Sequence, residues 1–203
     1  MRLKFTPSLS KSIIHLWAEK INYLHTLFTE VYFKDIVERY DIELPDVLSE
    51  LTDDLCSSVG SLTNASKISN TLQTVKNIKV SGTTISNYLN YLIESFLFSN
   101  AKRYDVKGKK YFEYPSKYYC TDIGLRNARL NFRQQEETHI MENIIYNELL
   151  CREYSVNVAL FGFSRYSISA VYFWLIDKDE KHFTVEMLKK CRFKKVKLRQ
   201  QLM

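Results

Sequence analysis

Apolar residues recur at three- and four-residue steps from Ile21 onward. Ile21, Leu24, Phe28, Val31, Tyr32 and Ile36 fall on one stripe, which predicts an amphipathic helix. Glu30–Lys34 and Lys34–Glu38, each four apart, would support its exposed side. Over residues 1–20 only a short apolar patch (Ile13, Ile14, Leu16, Trp17) stands out, and it defines no element. Pro45 suits the first turn of a second helix carrying Val47, Leu48, Leu51 and Leu55, which ends near Gly60.

Two further helices follow across a short link, Lys76 to Val80. Asn64 or Ser66 can cap the first, with Ile68, Leu72 and Val75 inward. Ser81 or Thr83 can cap the second, which would bury Ile85, Tyr88, Leu89, Leu92, Ile93 and Phe96. The chain then becomes strand-like over Phe98–Val106, turns at Lys107-Gly108-Lys109, and is strand-like again over Tyr111–Tyr119. A helix-turn-helix leading directly into a hairpin predicts a winged helix. Beyond Cys120 the pattern predicts a TDIGLRNARL turn and a helix over about His139–Glu153, burying Ile140, Ile144, Ile145 and Leu149. Strands are expected at Val156–Phe163, Ile168–Ile176 and His182–Met187, the last two joined by a DKDEK turn, with a basic tail at the end.

Composition changes this picture little. An apolar fraction of 45% across 203 residues can supply a core, and 5 Gly with 3 Pro argue against disorder. Charge needs more care, because seven of the 29 basic residues lie between Lys189 and Arg199. Without them 22 basic residues face 23 acidic ones, a net of about −1. The basic isoelectric point therefore reports a short terminal run, most simply a solvated one, and is weak evidence for nucleic acid. Cys56, Cys120, Cys151 and Cys191 are scattered, with no CxxC pair and no matching His spacing. That spacing points away from zinc and from a disulfide framework, toward buried or incidental thiols in a reducing cytoplasm. Charged residues Lys11, Glu19 and Lys20 interrupt any N-terminal signal segment. The uncharged run Tyr166–Ile176 is far shorter than the roughly 20 residues a bilayer span requires. No membrane partner is expected.

Candidate chemistry concentrates on the winged-helix region. In a helix-turn-helix the second helix enters the major groove, and here it offers Ser86, Asn87, Asn90, Tyr91 and Glu94. Asn can pair with adenine through two hydrogen bonds. That face carries no Arg or Lys, however, and Glu94 would repel phosphate, so a plain polar packing surface is an even alternative. The wing adds the densest basic cluster outside the tail: Lys102, Arg103, Lys107, Lys109 and Lys110, with Tyr104 and Tyr111 interleaved. Such a wing suits a phosphate backbone, although lysines also serve to keep a hairpin from aggregating. Asp122 is placed to cap the turn that follows it. Glu142 and Glu148, six apart, read as surface or capping carboxylates.

Taken together, LFTEVYFKDIVERYDI, ISNYLNYLIESFLF, RYDVKGKKYFEYPSKYYCTDIGLRNA and MENIIYNELLCREYSVNV, spread between Leu27 and Glu153, resemble the C-terminal half of a large group of AAA-type ATPases. These bacterial and archaeal proteins carry an appended domain of unknown function. The resemblance implies a preceding P-loop ATPase domain, a winged helix, and a terminal unit of restriction-endonuclease-like fold. The chain departs from that pattern twice. No GxxxxGK[ST] occurs, so nothing here cradles nucleotide phosphates. The nuclease-like end is eroded as well. Asp122, Glu142 and Glu186 match acidic positions of the family, but Ala170-Val171-Tyr172-Phe173 replaces E-[IV]-D-F, and Leu188 stands where a catalytic Lys is expected. Mg²⁺ needs converging oxygen ligands, which this set does not offer.

The expected fold is α+β: a helical segment over 1–60 left from a link to a lost ATPase domain, a winged helix over 61–120, and a truncated nuclease-like unit over 121–203. The expected function is non-enzymatic DNA binding without a cofactor or metal. The alternative is an interaction module docking on an ATPase partner or on its own copy. A nuclease ranks last.

Overall fold

The computed structural model describes residues 7–104, 115–133, 137–159, 170–176, 182–188 and 196–200, and it is a mixed α and β fold. Residues 105–114 and 177–181, with Lys107, Lys109, Lys110 and the expected DKDEK turn, lie outside the described residues.

Helix α1 (Pro7–Thr26) runs through the stretch whose sequence showed no period. It continues into a π-helical segment (Leu27–Phe33) and then α2 (Lys34–Arg39). In the π segment the Lys34 amide reaches back five residues to the Thr29 carbonyl, so side chains there fall out of the 3.6-residue period. That shift corrects the expected single stripe: Phe28 and Ile36 are buried while Val31 faces solvent. It also displaces the expected Glu30–Lys34 spacing, and the ion pair that forms is Asp35–Arg39, within α2.

Helix α3 (Pro45–Ser57) begins on Pro45 and buries Val47, Leu48, Leu51 and Leu55. A two-residue strand β1 (Leu62–Thr63) precedes α4 (Ala65–Lys76), whose N-cap is Asn64, its side chain accepting from the Lys67 amide. Ser81 caps α5 (Gly82–Glu94) in the same way through the Thr84 amide. Each such cap contributes about 1 kcal/mol by satisfying a helix-end donor. Strand β2 (Phe98–Ala101) then pairs antiparallel with β4 (Ser116–Cys120), Phe98 opposite Cys120 and Ala101 opposite Lys117, and β1 pairs along the other edge of β4. The sheet order is β1-β4-β2. Ile68 and Leu72 of α4, with Ile85, Tyr88, Leu89 and Leu92 of α5, complete one core with α3.

Two residues expected in the core from the α4 and α5 patterns face outward. Val75 sits in the last turn of α4 and lines an open cleft with Glu50 and Lys76. Phe96 is 80% exposed, because it lies one residue beyond the C-cap of α5 at φ +58, a left-handed turn that points its ring away while Leu97 and Phe98 enter the core. The hairpin also ends earlier than expected. The chain breaks at Lys102, and Arg103–Tyr104 forms β3, paired in parallel with Val158–Ala159 of β5 (Ser155–Ala159). One segment thus belongs to two sheets.

The second sheet has the order β3-β5-β6-β7-β8, with β6 (Ala170–Ile176), β7 (His182–Leu188) and β8 (Val196–Gln200) all antiparallel. Strand β8 is an element the sequence pattern did not predict: part of the basic run pairs at the sheet edge, with Lys197 in register with Glu186. Helix α6 (Ile123–Arg129) is capped by Asp122, which accepts from the Leu125 amide at 3.0 Å. Helix α7 (Glu137–Cys151) departs furthest from expectation, because its buried residues are Glu142, Asn143 and Tyr146, while Ile144 is 50% exposed.

Phe96→Gly is expected to raise stability by about 0.5–1 kcal/mol, since an exposed phenyl gains little and glycine adopts the left-handed turn without strain. Urea denaturation of the two proteins checks this. A loss of stability would mean that the Phe96 ring is held by the fold.

Candidate nucleic-acid interface

Helix α5 is held by its apolar side, which leaves Ser86, Asn87 and Asn90 exposed on the other. Ser86 and Asn90, one turn apart, share an open cleft of about 580 Å³ with Thr63, Asn64, Asn100, Lys102, Ser116 and Tyr118. Sequence reasoning found Ser86, Asn90 and Lys102 but missed Thr63, Asn64 and Asn100, which come from β1, the α4 cap and β2. The signal available for Asn64 was its cap position, which lodges its side chain beside α5. Beside the apolar Ala65 and Leu89, the polar lining is carboxamide, hydroxyl and one ammonium, with no carboxylate among the described lining residues. Asn64 spends its carbonyl oxygen on the Lys67 amide at 2.8 Å, which leaves its N–H₂ as the donor end of the side chain.

The remaining two residues of that helix face are engaged elsewhere. Tyr91 stacks on Tyr40 with ring centroids 4.1 Å apart, and the Tyr40 hydroxyl donates to Glu94 Oε2 at 3.0 Å. The acidic group that would repel a phosphate is thereby tied to the end of α2, outside the cleft lining. Lys102 is exposed at the break between β2 and β3. Arg103 lies in β3, and Lys107, Lys109 and Lys110 lie outside the described residues; of the described candidates the cleft brings together Ser86, Asn90 and Lys102, while Asn87 and Arg103 are not among its lining residues.

Three acidic positions were singled out in the sequence, and the structure places them apart. Asp122 is the α6 cap. Glu186 is in β7, registered between Tyr172 of β6 and Lys197 of β8. Glu142 is fully buried, which corrects its reading as a surface or capping carboxylate. Its Oε1 accepts from Lys117 Nζ at 2.6 Å and from the Tyr119 hydroxyl at 2.8 Å. Gly60, at φ +74, passes so close that a Cβ there would lie 3.2 Å from Glu142 Oε1. Beside this pair Asn143 clamps the Cys120 backbone, accepting from its N–H and donating to its carbonyl, both at 2.8 Å, and Asn147 donates to the carbonyls of Cys120 and Thr121. Glu148 stays on the surface, paired with Arg152. Among the described residues no group of three His, Cys, Asp or Glu side chains is placed to hold a metal, and no helix is long and apolar enough to cross a membrane.

Lys117→Met is expected to cost about 3–5 kcal/mol by stranding the Glu142 charge, whereas Lys117→Met combined with Glu142→Leu should cost clearly less. Chemical denaturation of both checks this, and equal losses would refute the ion-pair assignment. Alkaline pH should unfold the protein through the same region. Burial first, and then the Glu142 charge, hold the Tyr119 hydroxyl well above its ordinary value of 10.0, and burial raises Tyr118 and Tyr146 too. Their contribution is present in full below pH 10.0 and is lost as the pH rises through the folded values. Tyrosinate absorbance and far-UV dichroism recorded over the same pH range should change together above that point.

Comparison with known proteins finds relatives and a family. An uncharacterized protein of Haemophilus influenzae is 39% identical over 135 residues, which are 66% of this chain and 34% of that protein. The uncharacterized protein MJ1544 of Methanocaldococcus jannaschii is 30% identical over 135 residues, again 66% of this chain and 30% of its own length. The matched stretch thus spans about a third of the curated relatives. No solved structure matches the chain. Residues 14–136, more than half of the sequence and all of the cleft, match the domain of unknown function DUF8612, and the chain belongs to that family.

Proposed function

We propose that the chain is a non-enzymatic DNA-binding module, built as a winged helix and related to the appended half of AAA-type ATPases, acting in the cytoplasm. The observation that carries this reading is the cleft where Ser86 and Asn90 of α5 meet Lys102, with no carboxylate in the lining and with Glu94 drawn aside by Tyr40. The element order supports it too. Three helices and a short strand between the first two, followed by a β1-β4-β2 sheet, are the parts of a winged helix in their usual sequence. In this arrangement α5 would lie in the major groove, with its amides available to adenine edges and Lys102 to a phosphate. Strands β5–β8 would belong to a restriction-endonuclease-like unit in which Tyr172 occupies the place of a metal-binding Asp.

The test is fluorescence anisotropy with duplex DNA at low and moderate salt. Binding should weaken as salt rises. Lys102→Ala should lower the salt slope by about one unit uniformly across sequences, and Asn90→Ala should cost about 1–3 kcal/mol on preferred sequences only. Absent or salt-independent binding would overturn the proposal.

A second reading is favoured by a different surface. Leu16, Trp17 and Tyr23 on α1 are 52%, 60% and 66% exposed, an uncovered apolar and aromatic patch. The module would then dock through α1 on an ATPase partner or on a second copy. Co-purification should recover a defined protein that is lost with Trp17→Glu, and a monomer alone in cell extract would argue against it.

A further inference from the structure

A second cleft, of about 410 Å³, opens between α3, α4 and the end of α6, and it shares no lining residue with the α5 cleft. Its volume falls in the range of small-molecule sites. Val75 lies in it, 71% exposed, with Leu72 and Leu130, so a side chain that the helical pattern directs inward faces this opening instead. The charged lining is balanced. Among the described residues three carboxylates, Glu50, Asp53 and Asp54, meet three cations, Lys76, Arg129 and Arg133. Two of each answer one another: Lys76 Nζ sits 3.2 Å from Glu50 Oε2, and Arg129 Nη2 lies 3.1 Å from Asp53 Oδ2. Arg129 also donates to the Ser49 hydroxyl and lies over the rings of Phe28 and Phe33, which makes its bridge to Asp53 a fixed wall. Asp54 and Arg133 are left over. Among the described residues neither side chain has an ion pair or a hydrogen bond. Burial raises the Asp54 carboxyl above its ordinary value, and the charge of Lys67, which donates to the Leu62 carbonyl at 3.2 Å, only partly offsets this. Both groups adjoin the Arg129–Asp53 bridge. Asp54 is the next residue of α3, and Arg133 follows α6 past the left-handed residues Asn131 and Phe132.

We propose that this cleft binds a free amino acid with an apolar side chain, its ammonium on Asp54, its carboxylate on Arg133 and its side chain over Val75 and Leu130. The ligand class follows from the lining. A simple cation would leave Arg133 unanswered and a simple anion would leave Asp54 unanswered. A ligand of zero net charge that carries one group of each sign satisfies both. Hydrogen bonds between charged partners are the strong ones, and a half-buried carboxylate is a better acceptor for an ammonium than one fully in water. Covering Val75 removes apolar surface from water and adds affinity for the side chain. Because both charges flank one bridge, they suit an ammonium and a carboxylate carried on a single carbon. A peptide separates those groups along its length. The site is independent of any DNA contact at α5.

Titration calorimetry and thermal unfolding of the full chain with L-leucine, L-valine and L-phenylalanine test the site. At least one should bind saturably, with a dissociation constant on the order of 1 mM or tighter, and should raise the melting temperature as its concentration rises. For the amino acid that binds, its carboxamide and its N-acetyl derivative should each bind about tenfold more weakly, because each lacks one of the two charges. Arg133→Ala should weaken the free amino acid about tenfold while leaving the carboxamide's affinity unchanged. Asp54→Asn should weaken it similarly while leaving the N-acetyl derivative's affinity unchanged. Arg133 is exposed, so the ligand-free fold tolerates its loss. No saturable binding of any of the three amino acids would overturn the proposal. So would derivatives that bind as well as the parent, wild-type affinity in either variant, or tighter binding by a tripeptide that ends in the same residue.

Discussion

Strand β4 is the element on which both halves of the described structure depend, and its dependence is electrostatic as much as apolar. Five residues alternate across it. Tyr118 and Cys120 enter the helical core with α3, α4 and α5, while Tyr119 joins the other cluster with Val59, Ala101, Tyr146 and Val156. Lys117, on the same side as Tyr119, meets Glu142 of α7 in a fully buried ion pair. The Cys120 backbone, at the end of its pairing with β2, completes its hydrogen bonding on the Asn143 side chain. A helix bolted on in this way cannot slide, because any shift would strand a charge and two backbone groups in a dry interior.

That constraint reaches the cleft. Ser116 and Tyr118 of β4 line it, and so do Asn100 and Lys102, which follow from the β2 pairing with β4. The register that holds α7 therefore also sets the distance between the α5 amides and the Lys102 ammonium. Preorganisation of this kind lowers the ordering cost of binding. The sheet crossing at Lys102 adds to it, since β3 ties the following residues to β5 rather than leaving them as a free ribbon.

How much of this was legible in the sequence follows from which residues carried the burial. Helices α3, α4 and α5 could be read because Leu, Ile and Tyr mark their inner faces and Pro45, Asn64 and Ser81 mark their starts. The β2–β4 pairing could be read from its length and flanking turn residues. Helix α7 could be placed but its buried face could not, since that face carries Glu142, Asn143 and Asn147 while Ile144 and Met141 face out. Hydropathy points the wrong way, and the partner that justifies the polar face, Lys117, comes from a distant strand. The π segment shifted the α1–α2 stripe by a fraction of a turn that no apolar spacing announces. Strand β8 was detectable in principle, because Val196 and Leu198 alternate with Lys197 and Arg199, but a dense run of basic residues hid the two-residue period.

The electrostatics of the cleft limit what kind of DNA contact it can make. Lys102 is the only cation among the described residues of its lining, so those residues neutralise about one phosphate, and the salt slope that follows from them is about −0.9. One phosphate contact gives weak, sequence-independent attraction. Three carboxamides and four hydroxyls in the same lining offer far more hydrogen-bonding capacity than charge. A surface of that balance gains more from matching base edges than from neutralising a backbone, and it tolerates no competing carboxylate, because an anion a few Å from a phosphate in high dielectric costs about 1 kcal/mol. The Tyr40–Glu94 hydrogen bond is therefore central to the proposed interface even though it lies outside it. If that bond opened, Glu94 would bring an opposing charge to the α5 face where the amides of Asn87 and Asn90 are offered.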